Sequence, residues 1–297
     1  MILQNGTFPQ FAENRLQPRA FSQPFCPAPR ASDQVQLSAR AAGIQETKPY
    51  LQPLGGVLMI PGLCEKGEDL HGIIDHLSNR GVNENGGILN AKFMKIFPPE
   101  RIARMSNDEL RDALGLNHQG NLFALTYTKN DNPIAQNAKE LKWATEIVSR
   151  LSGDSQVDLV AHSKGGLDAR KYLEDPQEKV GKLITIGTPH RGSWLAVPEV
   201  LTGEIFGKLF LRKDGGGGTR DVMPEWLNAS LQRLNDHTDM QESRAAITSI
   251  ATRGDGVVDL HSAVLNKKHS HVLGNIKHIE QLDSRAVQEL VGDLLAG

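Results

Sequence analysis

From Gly55 onward the chain alternates short apolar runs with stretches whose apolar residues recur every three to four positions. The runs Val57 to Ile60, Leu122 to Thr128, Val157 to Val160, Leu183 to Ile186, Ile247 to Ala251 and Val272 to Ile276 are four to seven residues long and rich in branched side chains. Runs of that length predict buried strands. Between the second and third, Ile134, Ala138, Leu141, Thr145 and Val148 fall on one face of a helix, and near the end Val287, Leu290, Val291, Leu294 and Leu295 do the same. Strands that alternate with helices predict an α/β domain, a mostly parallel sheet covered by helices on both faces.

Three stretches break the alternation. Residues 1–54 hold seven of the 15 prolines and little apolar periodicity, so they predict an extended Pro/Gln-rich arm rather than a domain. Phe8, Phe11, Phe21, Phe25 and Leu37 would let part of that arm pack. Residues 81–119 are polar and turn-rich around a short helical piece, Asp108 to Leu114, and predict an insertion over the strand ends. Residues 194–244 open with an amphipathic apolar segment from Trp194 to Phe210, pass through Gly215-Gly216-Gly217-Gly218, and close on Met223, Trp226, Leu227, Leu231 and Leu234. Consecutive glycines bend cheaply, so this stretch predicts a lid-like insertion whose apolar face needs cover.

Composition narrows the classes. A chain of 297 residues, 39% hydrophobic with a net charge of −2, can bury a large core, and its balanced charge disfavours nucleic-acid binding. Its only cysteines, Cys26 and Cys64, predict two free thiols in preference to one bridge. No run approaches the roughly eighteen apolar residues of a membrane span, and the first residues lack a basic start followed by an apolar core. As it stands, the chain is expected in the cytoplasm, with secretion after loss of a leader as the alternative.

Chemistry concentrates in Val157-Asp158-Leu159-Val160-Ala161-His162-Ser163-Lys164-Gly165-Gly166-Leu167, which predicts a strand, a tight turn with serine at its tip, and a helix beginning directly after. A serine hydroxyl is a poor nucleophile unless it is held away from its own backbone, near a base and beside free N–H groups, and small residues two before and two after it permit that turn. Gly165 supplies the second small residue; Ala161 stands where glycine is usual. Later come Gly187-Thr188-Pro189-His190-Arg191-Gly192-Ser193, Gly254-Asp255-Gly256-Val257-Val258, and His278 ahead of a helix. With these four motifs in this order, residues 55–297 resemble bacterial lipases of the α/β-hydrolase superfamily.

The resemblance implies Ser163 as nucleophile, His278 as base and Asp255 as the orienting acid, in the chain order Ser, Asp, His. Asp259 is the rival acid. It further implies an oxyanion hole from the backbone N–H groups of Leu63 and Lys164; family members often carry His-Gly where this chain has Pro61-Gly62. Cys64 reads as a packed small residue, His162 and His190 as structural, and His261, His269 and His271 lack the carboxylate or cysteine spacing of a metal site. The implied activity is a serine carboxylester hydrolase, a lipase or esterase acting on small-molecule or lipid esters, with contact at a lipid–water interface and with no cofactor or metal. The Pro-Gly loop and Pro-His turn are also similar to those of GPI-inositol deacylases. Membrane-lipid acyl hydrolysis or acyl transfer is therefore an alternative, and a silent hydrolase fold used for binding is another.

Overall fold

The computed structural model describes residues 55–81, 83–129, 131–194 and 217–297, all within the unit Ala39–Gly297. The N-terminal arm and the apolar segment from 195 to 216 lie outside the described residues, and with them the greater part of the expected lid. Seven strands are described: β1 (Val57–Ile60), β2 (Asn85–Asn90), β3 (Leu122–Thr126), β4 (Val157–His162), β5 (Val180–Ile186), β6 (Ala246–Thr252) and β7 (Ser270–Leu273). They form one sheet in the order β2-β3-β1-β4-β5-β6-β7, with every pair parallel.

The sheet is buried because successive side chains of each strand meet a different layer of helices. Leu58 and Ile60 join Phe123, Leu125, Leu159 and Leu183 on one face; Val57 and Met59 join Leu122, Ala124, Val160 and Ile184 on the other. The longer helices are α1 (His71–Asn79), α2 (Asn107–Leu114), α3 (Ile134–Ser152), α4 (Gly165–Tyr172), α5 (Ala229–Asp236) and α6 (Arg285–Ala296). The first face is covered by Leu141, Ala144 and Val148 of α3 and Ala169 and Tyr172 of α4, the second by Ile73, Ile74 and Leu77 of α1 and Val287, Val291 and Leu295 of α6. Periodicity at 3.6 residues on the helices and two-sided burial of the strands satisfy each other.

Residues 81–119 are a correction. They are not only an insertion: Asn85-Gly86-Gly87-Ile88-Leu89-Asn90 is the edge strand β2, paired with β3 through a register shift between Asn85 and Gly87. Its sequence hides it, since only Gly86 and Leu89 are buried. A Cβ on Gly86 would fall 2.5 Å from the Phe123 ring, so the strand approaches β3 where a side chain would not fit. The last strand also differs, running over Ser270–Leu273 rather than Val272 to Ile276, because its register against β6 ends with Thr252 opposite Leu273 and Gly274 follows. In the closing part of the expected lid, Leu231 and Leu234 of α5 are buried with Val222 against Ile134 and Leu167, whereas Trp226 and Leu227 stay exposed.

The expectation of free thiols also fails at Cys64, which is disulfide-bonded. Whether a cysteine is bridged depends on the Cα separation that folding creates, which two isolated positions in a sequence do not encode. Cys26 lies outside the described residues.

Candidate active site

In this strand order, β1 and β4 are neighbours although 96 residues separate their ends, so the loops leaving their carboxyl edges meet. The loop after β4 turns at Ser163 with φ of 52°, a left-handed conformation that a side-chain-bearing residue adopts at a cost, and α4 begins two residues later. Small neighbours make the turn fit. A Cβ on Gly165 would lie 2.5 Å from the Pro61 carbonyl, and one on Gly166 would overlap Thr188 Oγ1. A Cβ on Gly62 would lie 2.7 Å from Cβ of Ser163, which measures how closely the two loops approach.

Ser163, Asp255 and His278 come from loops after β4, β6 and β7 and converge. His278 Nε2 is 2.9 Å from Ser163 Oγ, and His278 Nδ1 is 2.9 Å from Asp255 Oδ2. Asp255 is buried and its other oxygen, Oδ1, accepts the N–H groups of Val257 (2.9 Å) and Val258 (2.6 Å). Burial would raise its pKa, but the His278 hydrogen bond and charge and these two amides hold the carboxyl below its ordinary range. An ionised carboxylate only accepts, so Nδ1 of His278 carries the proton and Nε2 is left to accept from Ser163. Burial lowers the His278 pKa and the neighbouring His162 lowers it further, against the raising effect of Asp255, so the neutral imidazole is favoured. Asp259 does not take part: it is exposed, ahead of the short helix Leu260–Ala263.

Among the described residues, the backbone N–H groups of Leu63 and Lys164 donate to no protein acceptor. The Gly62 N–H is occupied by Glu65 Oε2 at 2.6 Å. The Lys164 side chain turns inward, with Nζ 2.7 Å from Asp168 Oδ1 and both residues about 1% exposed. Asn137 Nδ2 reaches the other Asp168 oxygen at 3.0 Å. Such a pair holds the first turn of α4 in one orientation, since either member alone would be an uncompensated buried charge.

His190 is structural. Its N–H donates to the Ser262 carbonyl at 3.0 Å, its carbonyl accepts from Asn235, and its ring lies between Thr185 Oγ1 and Arg170. Burial, then the charges of Arg170 and Arg191, keep that ring neutral. His261, His269 and His271 are exposed. His162, read from sequence as structural, lies against the site, its ring centroid 4.7 Å from that of His278. Glu65 and Gln281, which hydrogen-bond it, were not singled out in the sequence. Neither lies in a periodic or motif position, and only the meeting of distant loops brings them in.

With this geometry in view, a family model described as lecithin:cholesterol acyltransferase matches residues 112–225. A triacylglycerol lipase of Pseudarthrobacter phenanthrenivorans is 28% identical over 128 residues, covering 42% of this chain and 37% of that protein. A triacylglycerol lipase of Burkholderia plantarii is also 28% identical over 128 residues, covering 33% of its length. The match thus spans about a third of the length of these curated relatives. Among solved structures, the mature form of the Bacillus licheniformis lipase BlEst2 superimposes with a TM-score of 0.59 at 16% identity, over 84% of this chain and 96% of that one. A Listeria innocua gene product gives 0.54 at 16% identity, over 81% and 92%. At such identities the likeness speaks for the fold, which is the α/β-hydrolase fold.

Proposed function

We propose that this chain, an α/β-hydrolase by fold, is a serine carboxylester hydrolase that cleaves acyl esters through an acyl-enzyme. The observation that carries the reading is the unbroken hydrogen-bonded line from Asp255 through His278 to Ser163, at 2.9 Å for each of its two steps. Ser163 Oγ attacks the ester carbonyl carbon while its proton passes to His278 Nε2; the oxyanion accepts from the Leu63 and Lys164 N–H groups. As the carbon–oxygen bond breaks, Nε2 returns the proton to the leaving alkoxide. Water then attacks the acyl-enzyme, His278 takes its proton, and the carboxylic acid leaves as Ser163 regains its hydrogen. Asp255 holds Nδ1–H throughout and stabilises the transient imidazolium.

The lipase names of the two curated relatives favour esters of apolar acyl chains, and exposed Trp194 and Trp226, with ring centroids 5.7 Å apart, give the chain an apolar surface for a lipid–water interface. A p-nitrophenyl ester series from acetate to palmitate tests both steps. Turnover that vanishes in Ser163→Ala supports the reaction, and preference for longer chains supports the substrate class; a wild-type protein inert on every chain length refutes the proposal. The acyltransferase family model favours a second fate for the same acyl-enzyme, capture by an alcohol instead of water. Ester product formed in the presence of an alcohol acceptor, scored against free acid, separates the two.

Among the described residues no helix is long and apolar enough to cross a membrane. The bonded state of Cys64 favours an oxidising compartment, hence the secreted reading over the cytoplasmic one. Free-thiol titration of protein isolated from its native host under alkylation tests this, with two titratable thiols counting against it.

A further inference from the structure

A set of polar groups outside the proposed reaction, buried at His162 and Gln281 and half-buried at Glu65, touches both halves of it. Glu65 Oε1 lies 2.6 Å from Nδ1 of His162, and Oε2 accepts the Gly62 N–H, also at 2.6 Å. On the far side of the ring, His162 Nε2 lies 3.1 Å from Gln281 Oε1. Gln281 Nε2 donates to Thr252 Oγ1 and to Asp255 Oδ2, each at 2.7 Å.

Donor and acceptor logic fixes the protons along this path. Asp255 Oδ2 can only accept, so Gln281 presents its NH2 group there and its carbonyl to His162. His162 Nε2 is therefore a donor. Glu65 has one oxygen on a backbone N–H, and the attraction and hydrogen bond of His162, with that amide, outweigh burial and keep its carboxyl below the ordinary range. It is ionised, and the 2.6 Å contact makes Nδ1 a second donor. His162 thus carries both ring protons and a positive charge at 1% exposure, which burial opposes and Glu65, Gln281 and Asp255 together sustain.

Resting on the hydrolase reading above, we infer that Glu65, cationic His162 and Gln281 form a charged bridge that positions the oxyanion loop at one end and the triad acid at the other, and sets the basicity of His278 between them. All three are positioning residues, since none touches the reacting atoms. Glu65 ties down the Gly62 amide, so that the next donor, Leu63, stays beside Ser163. Gln281 occupies Asp255 Oδ2 together with His278, which restrains the carboxylate in the plane its partner needs. The ionisable groups acting on His278 are Asp255, His162 and Glu65. Of these, the His162 charge alone opposes protonation of His278.

The sign of the effect follows. His278 works as the neutral base, so activity is lost as pH falls through its pKa; removing the His162 charge raises that pKa and moves the acid limb of kcat/KM to higher pH. His162→Gln should shift the limb upward by about half a pH unit or more. Glu65→Gln should shift it the same way but less, because the opposing carboxylate is lost with the cation it sustains. In both, kcat should fall about tenfold or more with KM changed less than threefold, the pattern of a misplaced oxyanion donor.

A second measurement needs no variant and no turnover: in uniformly 15N-histidine-labelled wild-type protein, the ring in contact with His278 should keep both ring N–H signals at pH 8. Loss of either proton at pH 8 overturns the charged bridge. So does an unmoved acid limb in both variants when circular dichroism shows them folded. If the wild-type protein hydrolyses no ester, the hydrolase reading fails by itself, while the two N–H signals still decide the charge state of His162.

Discussion

Asp255→Asn isolates the role of the acid with one atom changed. Asp255 accepts four hydrogen bonds: Val257 and Val258 N–H on Oδ1, His278 Nδ1 and Gln281 Nε2 on Oδ2. An asparagine keeps its carbonyl on the two backbone donors, because they can take nothing else. Its NH2 group must then replace Oδ2, facing two donors. His278 can relieve the clash only by moving its proton from Nδ1 to Nε2, and that tautomer points a proton at Ser163 and cannot remove one. Gln281 cannot relieve it either without giving up Thr252 and His162. The expected loss in kcat is on the order of 10⁴-fold, about 5.4 kcal/mol of barrier, as for a triad whose tautomer is wrong. Folding should suffer less, about 1–3 kcal/mol for a buried donor left unsatisfied, so the variant ought to remain folded at 25 °C. The assay is p-nitrophenyl acetate hydrolysis normalised to folded protein by circular dichroism, with Asp259→Asn alongside. Asp259 is exposed and makes no side-chain cap bond to its helix, so its variant should stay within twofold of wild type. A loss below tenfold in Asp255→Asn, or a larger one in Asp259→Asn, would refute the reasoning.

Gly62→Ala places a Cβ 2.7 Å from Ser163 Cβ and 3.0 Å from Glu65 Oε2, so the oxyanion loop must retreat; kcat should drop about 10²-fold while far-UV circular dichroism stays unchanged, and a kcat within threefold would contradict the close approach. For wild type, the acid limb of kcat/KM should have its midpoint below the ordinary histidine value of about 6.5, because burial and the His162 charge lower the pKa of His278 and the neutral form is the active one. A midpoint above 6.5 would count against it. Asp221 is pushed up to about 6, chiefly by burial, while its carboxylate accepts the Ile134 N–H at 2.6 Å. A folded pKa above the unfolded one contributes stability below about pH 4 that is lost as pH rises through 6. Asp221→Asn retains the acceptor and removes the charge, so it should raise Tm relative to wild type by about 2 °C at pH 8 and by less at pH 4.5, read by scanning fluorimetry; the opposite ordering would show that its attraction to Lys164 outweighs burial.

Local pattern determined much of this protein before any tertiary contact. The places of six strands, though not their exact bounds, the alternation with helices, the small residues around Ser163 and the chain order of Ser163, Asp255 and His278 are all legible, because each depends on a few neighbouring residues: a two-sided buried run, a 3.6-residue stripe, a turn that tolerates only small flanks. The edge strand β2 escaped that logic, since an edge strand with two glycines buries too little to show a period. Tertiary structure alone decided the rest. Two aspartates four residues apart are equivalent as text, and it is the turn after β6, with Val257 and Val258 N–H groups folded back onto Oδ1, that aims Asp255 at His278 and leaves Asp259 in solvent. Glu65 meets His162 across 97 residues and Gln281 meets it across 119, because the loops after β1, β4 and β7 emerge at the same edge of one parallel sheet. Periodicity reports which face of an element is buried; it carries no information about which distant polar group will be buried beside it. That pairing is enforced only when the assembled sheet removes water from both partners and leaves each the other as its remaining hydrogen-bond partner.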